Sequence, residues 1–180
     1  MSAAGLLALA VLFASCAGPG HEPVGAAADP GGDGAGGASA AERAASERAA
    51  GAVLDALHEA ASRADGEHYF ALFAPDAVFL GTDATERWSI EQFKAYAAPY
   101  FARGQGWTYV PVERHVAVSA RGDVAWFDER LTNGKYGEVR GSGVLVRLAE
   151  QWRIAQYNLS LPIPNDLAAD FVARIRAQGR

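Results

Sequence analysis

The sequence predicts an α+β domain, with helices gathered on one face of a curved antiparallel sheet, and three observations carry that prediction. Apolar residues recur at helical spacing as far as Arg103, and from Trp107 onward the period changes to two. Short clusters of turn residues divide the second half into strand-length runs. Half of the 180 residues are hydrophobic and 21% are charged, enough to build one core. Helices first and a meander after them place both in two packed layers.

Each element has its own signal. From Ala41 to Ala64 the chain is rich in Ala, Glu and Arg, with Val53, Leu57, Ala60 and Ala64 at helical spacing, so a long first helix is expected. Asp65 can cap a short second helix that buries Tyr69, Phe70, Leu72 and Phe73 and stops at Pro75-Asp76. "AVFLG" follows as a short strand. Ser89 and Gln92 form a capping box for a third helix, whose stripe is Ile90, Phe93, Tyr96 and Tyr100 and whose end is Arg103-Gly104. "WTYVPVERHVAVSA", "DVAWFDERL", "YGEVRGSGVLVRL" and "QWRIAQYNLSL" then read as four consecutive antiparallel strands. A closing helix is expected in "PIPNDLAADFVARIRAQ", capped by Asn165, with Leu167, Phe171 and Ile175 on one face.

The first forty residues lie outside that domain. "AAGLLALAVLFA" is an apolar run shorter than the ~20 residues a membrane-spanning helix needs, and it suits the core of a signal peptide. Behind it "LFASC" places the chain's single cysteine, Cys16, after small residues and resembles a bacterial lipobox. That resemblance implies lipidation of Cys16 and a domain held to the envelope by acyl chains. A secretory signal cut after Ala17 is the alternative. Residues 17–40 are mainly Ala, Gly and Pro with no aromatic, a composition that predicts a disordered tether and leaves 41–180 as the domain.

Charge and motif content exclude several functions. Glu22, Asp29 and Asp33 are the only acids before residue 41, leaving 18 of the 21 acidic and all 16 basic side chains to the domain. That balance argues against a nucleic-acid partner, which needs a basic face. His21, His58, His68 and His115 are too scattered for a metal set, and no Gly-rich loop sits between a strand and a helix, so neither a metal nor a cofactor is expected.

The stretches "ALFAPDAVFLGTDATERW", "AWFDE", "RGSGVL" and "WRIAQYNLSLPIPND" resemble the SnoaL-like branch of the nuclear transport factor 2 superfamily, over about residues 45–178. The resemblance implies a cone-shaped fold with a deep pocket between sheet and helices, and homodimers. It does not imply one chemistry. Ketosteroid isomerases of this superfamily use an Asp base with a Tyr and a protonated Asp as oxyanion donors. Matched residue by residue, those positions fall on Gly81, Leu57 and about Val144, none of which can do the work. Asp83 lies two residues beyond the base position, within a turn where capping is the alternative role.

The same resemblance implies which strand face looks into the cone. The parity of Val144 also holds Arg140, Ser142 and Val146; its companions are Trp126, Asp128 and Arg130, and Trp152, Ile154, Gln156 and Asn158. Trp126, Trp152, Ser142, Gln156, Asn158 and Asp83 are the candidate ligand-binding residues. Asp128, with Arg140 or His115, is the candidate general base. The alternatives are a solvated cross-strand pair for Asp128 and Arg140 and a merely hydrogen-bonded His115. Three functions stand open: an anchored domain binding a small molecule, with or without catalysis; an isomerase, cyclase or hydrolase using Asp128; and a dimeric scaffold with a filled cavity. The homodimer expectation rests on an apolar stripe of Val110, Val112, Val116 and Val118 on the exposed sheet face.

Overall fold

The computed structural model describes residues 38–179, so the lipobox at Cys16 and most of the tether lie outside the described residues. Ser39 opens α1 (Ala40–Ser62) with a capping box: its hydroxyl accepts from the Glu42 amide while the Glu42 carboxylate accepts from the Ser39 amide. The buried residues of α1 are Ala50, Leu54, Leu57, His58, Ala60 and Ala61; the expected Leu57 and Ala60 are among them, Val53 and Ala64 pack at the core's edge, and a histidine joins the buried face. Asp65 caps α2 (Gly66–Ala71). α2 ends before Pro75-Asp76, because β1 (Phe73–Leu80) has already begun there. β2 (Arg87–Ser89), which the sequence reading omits, leads into α3 (Ile90–Phe101), capped by Ser89 and Gln92 as expected.

The meander follows as β3 (Val110–Val118), β4 (Val124–Asn133), β5 (Gly137–Leu148) and β6 (Gln151–Ser160). The six strands form one sheet in the order β2-β1-β6-β5-β4-β3. It is mixed rather than purely antiparallel, since β1 pairs parallel to β6, with Phe79 opposite Tyr157. α1 packs against β3 and β6, and α3 against β1. Register shifts in β1, β3 and β6 bend the sheet around these helices, as bulges do.

The bulge in β6 is decisive for the lining. Val144 pairs with Gln156 but Leu145 pairs with Ile154, so Ala155 is the extra residue and the inward parity changes there. Trp152 and Ile154 point inward before it, Tyr157 and Leu159 after it, and all four are buried. In β4 the inward set is Ala125, Phe127, Glu129 and Leu131, opposite the inward Gly143, Gly141 and Val139 of β5.

The expected valine stripe divides: Val110 and Val112 are exposed, Val116 packs against the core and Val118 is buried in it. α4 (Ala168–Ala177) forms without a side-chain cap, and Leu167, Phe171 and Ile175 lie exposed on it. Among the described residues no helix is long and apolar enough to cross a membrane.

Candidate functional site

Between α3, the segment before β3 and the sheet lies a cavity of about 530 Å³ with largely aromatic walls. β1 and β2 contribute Phe79 and Trp88, α3 contributes Phe93, Tyr96 and Tyr100, and the segment before β3 contributes Trp107 and Tyr109. The β4–β5 turn closes one side with Asn133, Lys135 and Tyr136. Tyr157, Phe79, Phe93 and Trp88 form a ladder of near-parallel rings, with Phe79 and Phe93 centroids 3.9 Å apart. Gly106 sets Trp107 against α1: a Cβ there would collide with the Ala61 carbonyl, to which the Trp107 amide donates at 3.2 Å.

Beneath this cavity a chamber of about 20 Å³ shares Phe79, Trp107, Tyr109 and Leu159 with it and adds Leu57, Ala61, Tyr69, His58 and Tyr157. It is about the size of one water site. The floor is polar. Glu129, 1% exposed, accepts from the Tyr157 hydroxyl at 2.9 Å and is paired through the same Oε1 with His58 Nε2 at 2.8 Å. Its Oε2 accepts from Arg114 Nε at 2.7 Å, and Arg114 reaches on to Asp55 and the Gly51 carbonyl.

Electrostatics follow from these partners. Burial works to raise the Glu129 carboxyl, but the His58 hydrogen bond and the His58 and Arg114 charges outweigh it, leaving its pKa below the ordinary value. Burial, then the Glu129 charge, pushes the Tyr157 phenol far up, so it stays a proton donor. Tyr109 is pushed up to about 12, chiefly by burial and then by Tyr136, and Tyr96 is raised by burial and by Tyr100. The Tyr96 and Tyr109 phenols of the mouth are therefore protonated donors at neutral pH.

The sequence-derived site residues lie elsewhere, and the implied parity is corrected. Trp126, Asp128 and Arg130 face outward from β4; Trp126 is 52% exposed. Asp128 stands opposite Ser142 and His115, while Arg140 stands opposite Arg130, so Asp128 and Arg140 are not cross-strand partners. His115 is exposed beside Glu113 at 3.3 Å. Ser142, Gln156 and Asn158 share that outer face, together with Val144, the isomerase-derived acid position. Trp152 is buried inward but borders a different groove, with Val53, Leu72 and Arg153. Asp83 holds the β1–β2 turn, accepting from the amide and hydroxyl of Thr85. Gly81 and Leu57, the other two isomerase-derived positions, do line the cavity and the chamber. Neither has a titratable group. The interior is nearly filled at the chamber and open at the aromatic cavity above it. Among the described residues no group of three or more His, Asp or Glu is placed to hold a metal ion.

This architecture, a bent sheet with helices closing an aromatic cavity, defines a cone-type α+β fold. The SnoaL-like domain family model matches residues 51–164, and the chain belongs to that family. Solved structures agree at the level of fold. A dehydratase, provisionally so named, of the nuclear transport factor 2-like family from Streptomyces avermitilis superposes with TM-score 0.58 at 17% identity, covering 67% of this chain and 99% of that one. A nuclear transport factor 2-like protein of unknown function from Pseudomonas putida KT2440 gives 0.56 at 17% identity, over 68% and 91%. A protein provisionally named an aromatic ring hydroxylase, from Novosphingobium aromaticivorans, gives 0.56 at 19% identity, over 67% and 92%. No curated protein matches the sequence.

Proposed function

We propose that this SnoaL-like domain binds a small, flat, largely apolar or aromatic molecule in the cavity above Phe79 and Phe93, without turning it over. The supporting observation is the cavity itself: about 530 Å³ lies within the range of small-molecule sites, and its largely aromatic walls suit an aromatic or apolar ligand. The polar floor argues for binding rather than catalysis. His58 Nε2 and the Tyr157 hydroxyl are both committed to Glu129, and the chamber before them admits about one water. The similar structure provisionally named an aromatic ring hydroxylase fits an aromatic ligand but carries no residue over at 19% identity. Thermal unfolding with 2-naphthol, anthraquinone and a sterol tests the reading. A binder at a hundred times its Kd stabilises by about 2.7 kcal/mol, and the probe is expected back unchanged after incubation. No shift with any of the three at millimolar concentration would exclude ligand binding of this kind; chemical conversion of a probe would exclude the passive form.

We also propose that Cys16 is lipidated and holds the domain at the bacterial envelope, on the strength of "LFASC" and the apolar run before it. A Cys16→Ala protein should then move from the membrane fraction to the soluble fraction with the melting temperature of its domain unchanged. Unaltered fractionation would point instead to secretion.

A further inference from the structure

The mouth of the cavity offers several hydrogen-bond donors, and three of its side-chain acceptor oxygens are already engaged. Asn133 Oδ1 accepts the amides of Lys135 and Tyr136 at 2.9 and 3.0 Å. Gln105 Oε1 accepts from Arg103 at 3.1 Å, and Glu86 Oε2 from the Asp83 amide at 3.1 Å. The phenol hydroxyls of the lining add donors, and the Lys135 ammonium lies in the same turn as Tyr136. Among the described residues Lys135 is the sole cation lining the cavity, and its Nζ sits 4.8 Å from the Tyr136 ring centroid with no carboxylate among them in ion-pair contact. Glu86, the one acid of the lining, belongs to the β1–β2 turn, whereas Lys135 belongs to the β4–β5 turn; β6 runs between those strand pairs in the sheet. The mouth is thus polarised, positive at the β4–β5 turn and negative at the β1–β2 turn.

Resting on the aromatic-ligand reading above, we infer that the ligand is an aromatic carboxylate, its ring against the aromatic walls and its carboxylate at Lys135, which selects for the charge. A carboxylate there receives the ammonium as a charge-assisted donor, with phenol hydroxyls in support. A neutral amide of the same shape keeps the ring stacking and loses the charge. An ammonium group would meet Lys135 as a like charge.

The test uses three probes that share one ring system, 2-naphthoate, 2-naphthamide and 2-naphthylmethylamine, titrated calorimetrically into the full chain and into Lys135→Met, which keeps most of the apolar stem. The wild type is expected to bind the acid about tenfold more tightly than the amide, the scale of one hydrogen bond to a charged group, and the amine most weakly. Lys135→Met should equalise acid and amide while leaving amide affinity intact, and added salt should narrow the wild-type preference. Equal wild-type affinity for acid and amide, or preference for the amine, overturns the inference and leaves the aromatic-ligand reading standing. Equal loss of both probes in Lys135→Met also overturns it, since the residue would then shape the cavity rather than read charge. Failure of all three probes to bind the wild type would sink both proposals together.

Discussion

Replacing Glu129 with alanine is expected to lower the unfolding free energy by about 3 to 5 kcal/mol, the cost of breaking a buried charge pair from one side. Glu129 is 1% exposed and is the common partner of His58, Tyr157 and Arg114. Its removal strands a buried phenol and an imidazole, and leaves the Arg114 guanidinium, whose Nη2 is already buried without a partner, with only Asp55 and the Gly51 carbonyl. Glu129→Gln, which keeps the shape and one acceptor, should cost less, about 1 to 3 kcal/mol. Urea unfolding of both variants at neutral pH checks the ordering; a loss under about 1 kcal/mol for Glu129→Ala would show that the network contributes little.

The same carboxylate predicts an acid limb. Its pKa in the folded protein lies below the ordinary 4.5, so near that pH the folded chain binds fewer protons at this site than the unfolded chain. Its contribution is therefore complete above about pH 4.5 and is lost as pH falls through the lower, folded-state value. The wild type should lose stability more steeply below that pH than Glu129→Gln, whose side chain does not titrate.

Much of the fold was legible in the sequence because its signals are local. Ser89 with Gln92, and Asp65 before its helix, act in the structure as caps, and the four meander strands begin and end near their turn residues. The parallel pairing of β1 with β6 was not, because alternation within "AVFLG" says nothing about which distant strand it meets. The site was lost through one parity choice. The indole of Trp126 favours burial, yet its parity also carries Asp128 and Arg130, whereas the opposite parity places a single charge, Glu129, between Phe127 and Leu131. Weighing two charges against one would have favoured the second set and the buried acid within it. Trp152 and Gln156 could not have been separated by alternation, because the bulge at Ala155 changes the inward side between them. His58 falls four residues after Leu54 on the same helix face, a pairing visible in the sequence but informative only once an acid is known to face it.

Gly141→Ala is expected to destabilise the protein by about 2 to 4 kcal/mol, because overpacking adds to the loss of a hydrogen bond to a charged group. Gly141 lies directly opposite Glu129 in the β4–β5 ladder. A Cβ at that position would stand 2.8 Å from Glu129 Oε1 and 2.9 Å from its Cγ, and would fall on the Tyr157 hydroxyl. Neither group can withdraw at little cost, since Glu129 is held by His58 and Arg114 and Tyr157 is stacked on Phe79. Gly134→Ala, in the β4–β5 turn with nothing within 4 Å of its Cβ, is the control, with an expected change inside about 0.5 kcal/mol. The source of the strain is tested by adding Tyr157→Phe, which deletes the hydroxyl in the way. Because the two sites share a contact, the double variant should be less destabilised than the sum of the singles, by a coupling of about 0.5 to 3 kcal/mol. Strict additivity would mean that the added methyl is absorbed by the strand backbone, and that the glycine is there for β5 rather than for the buried carboxylate it faces.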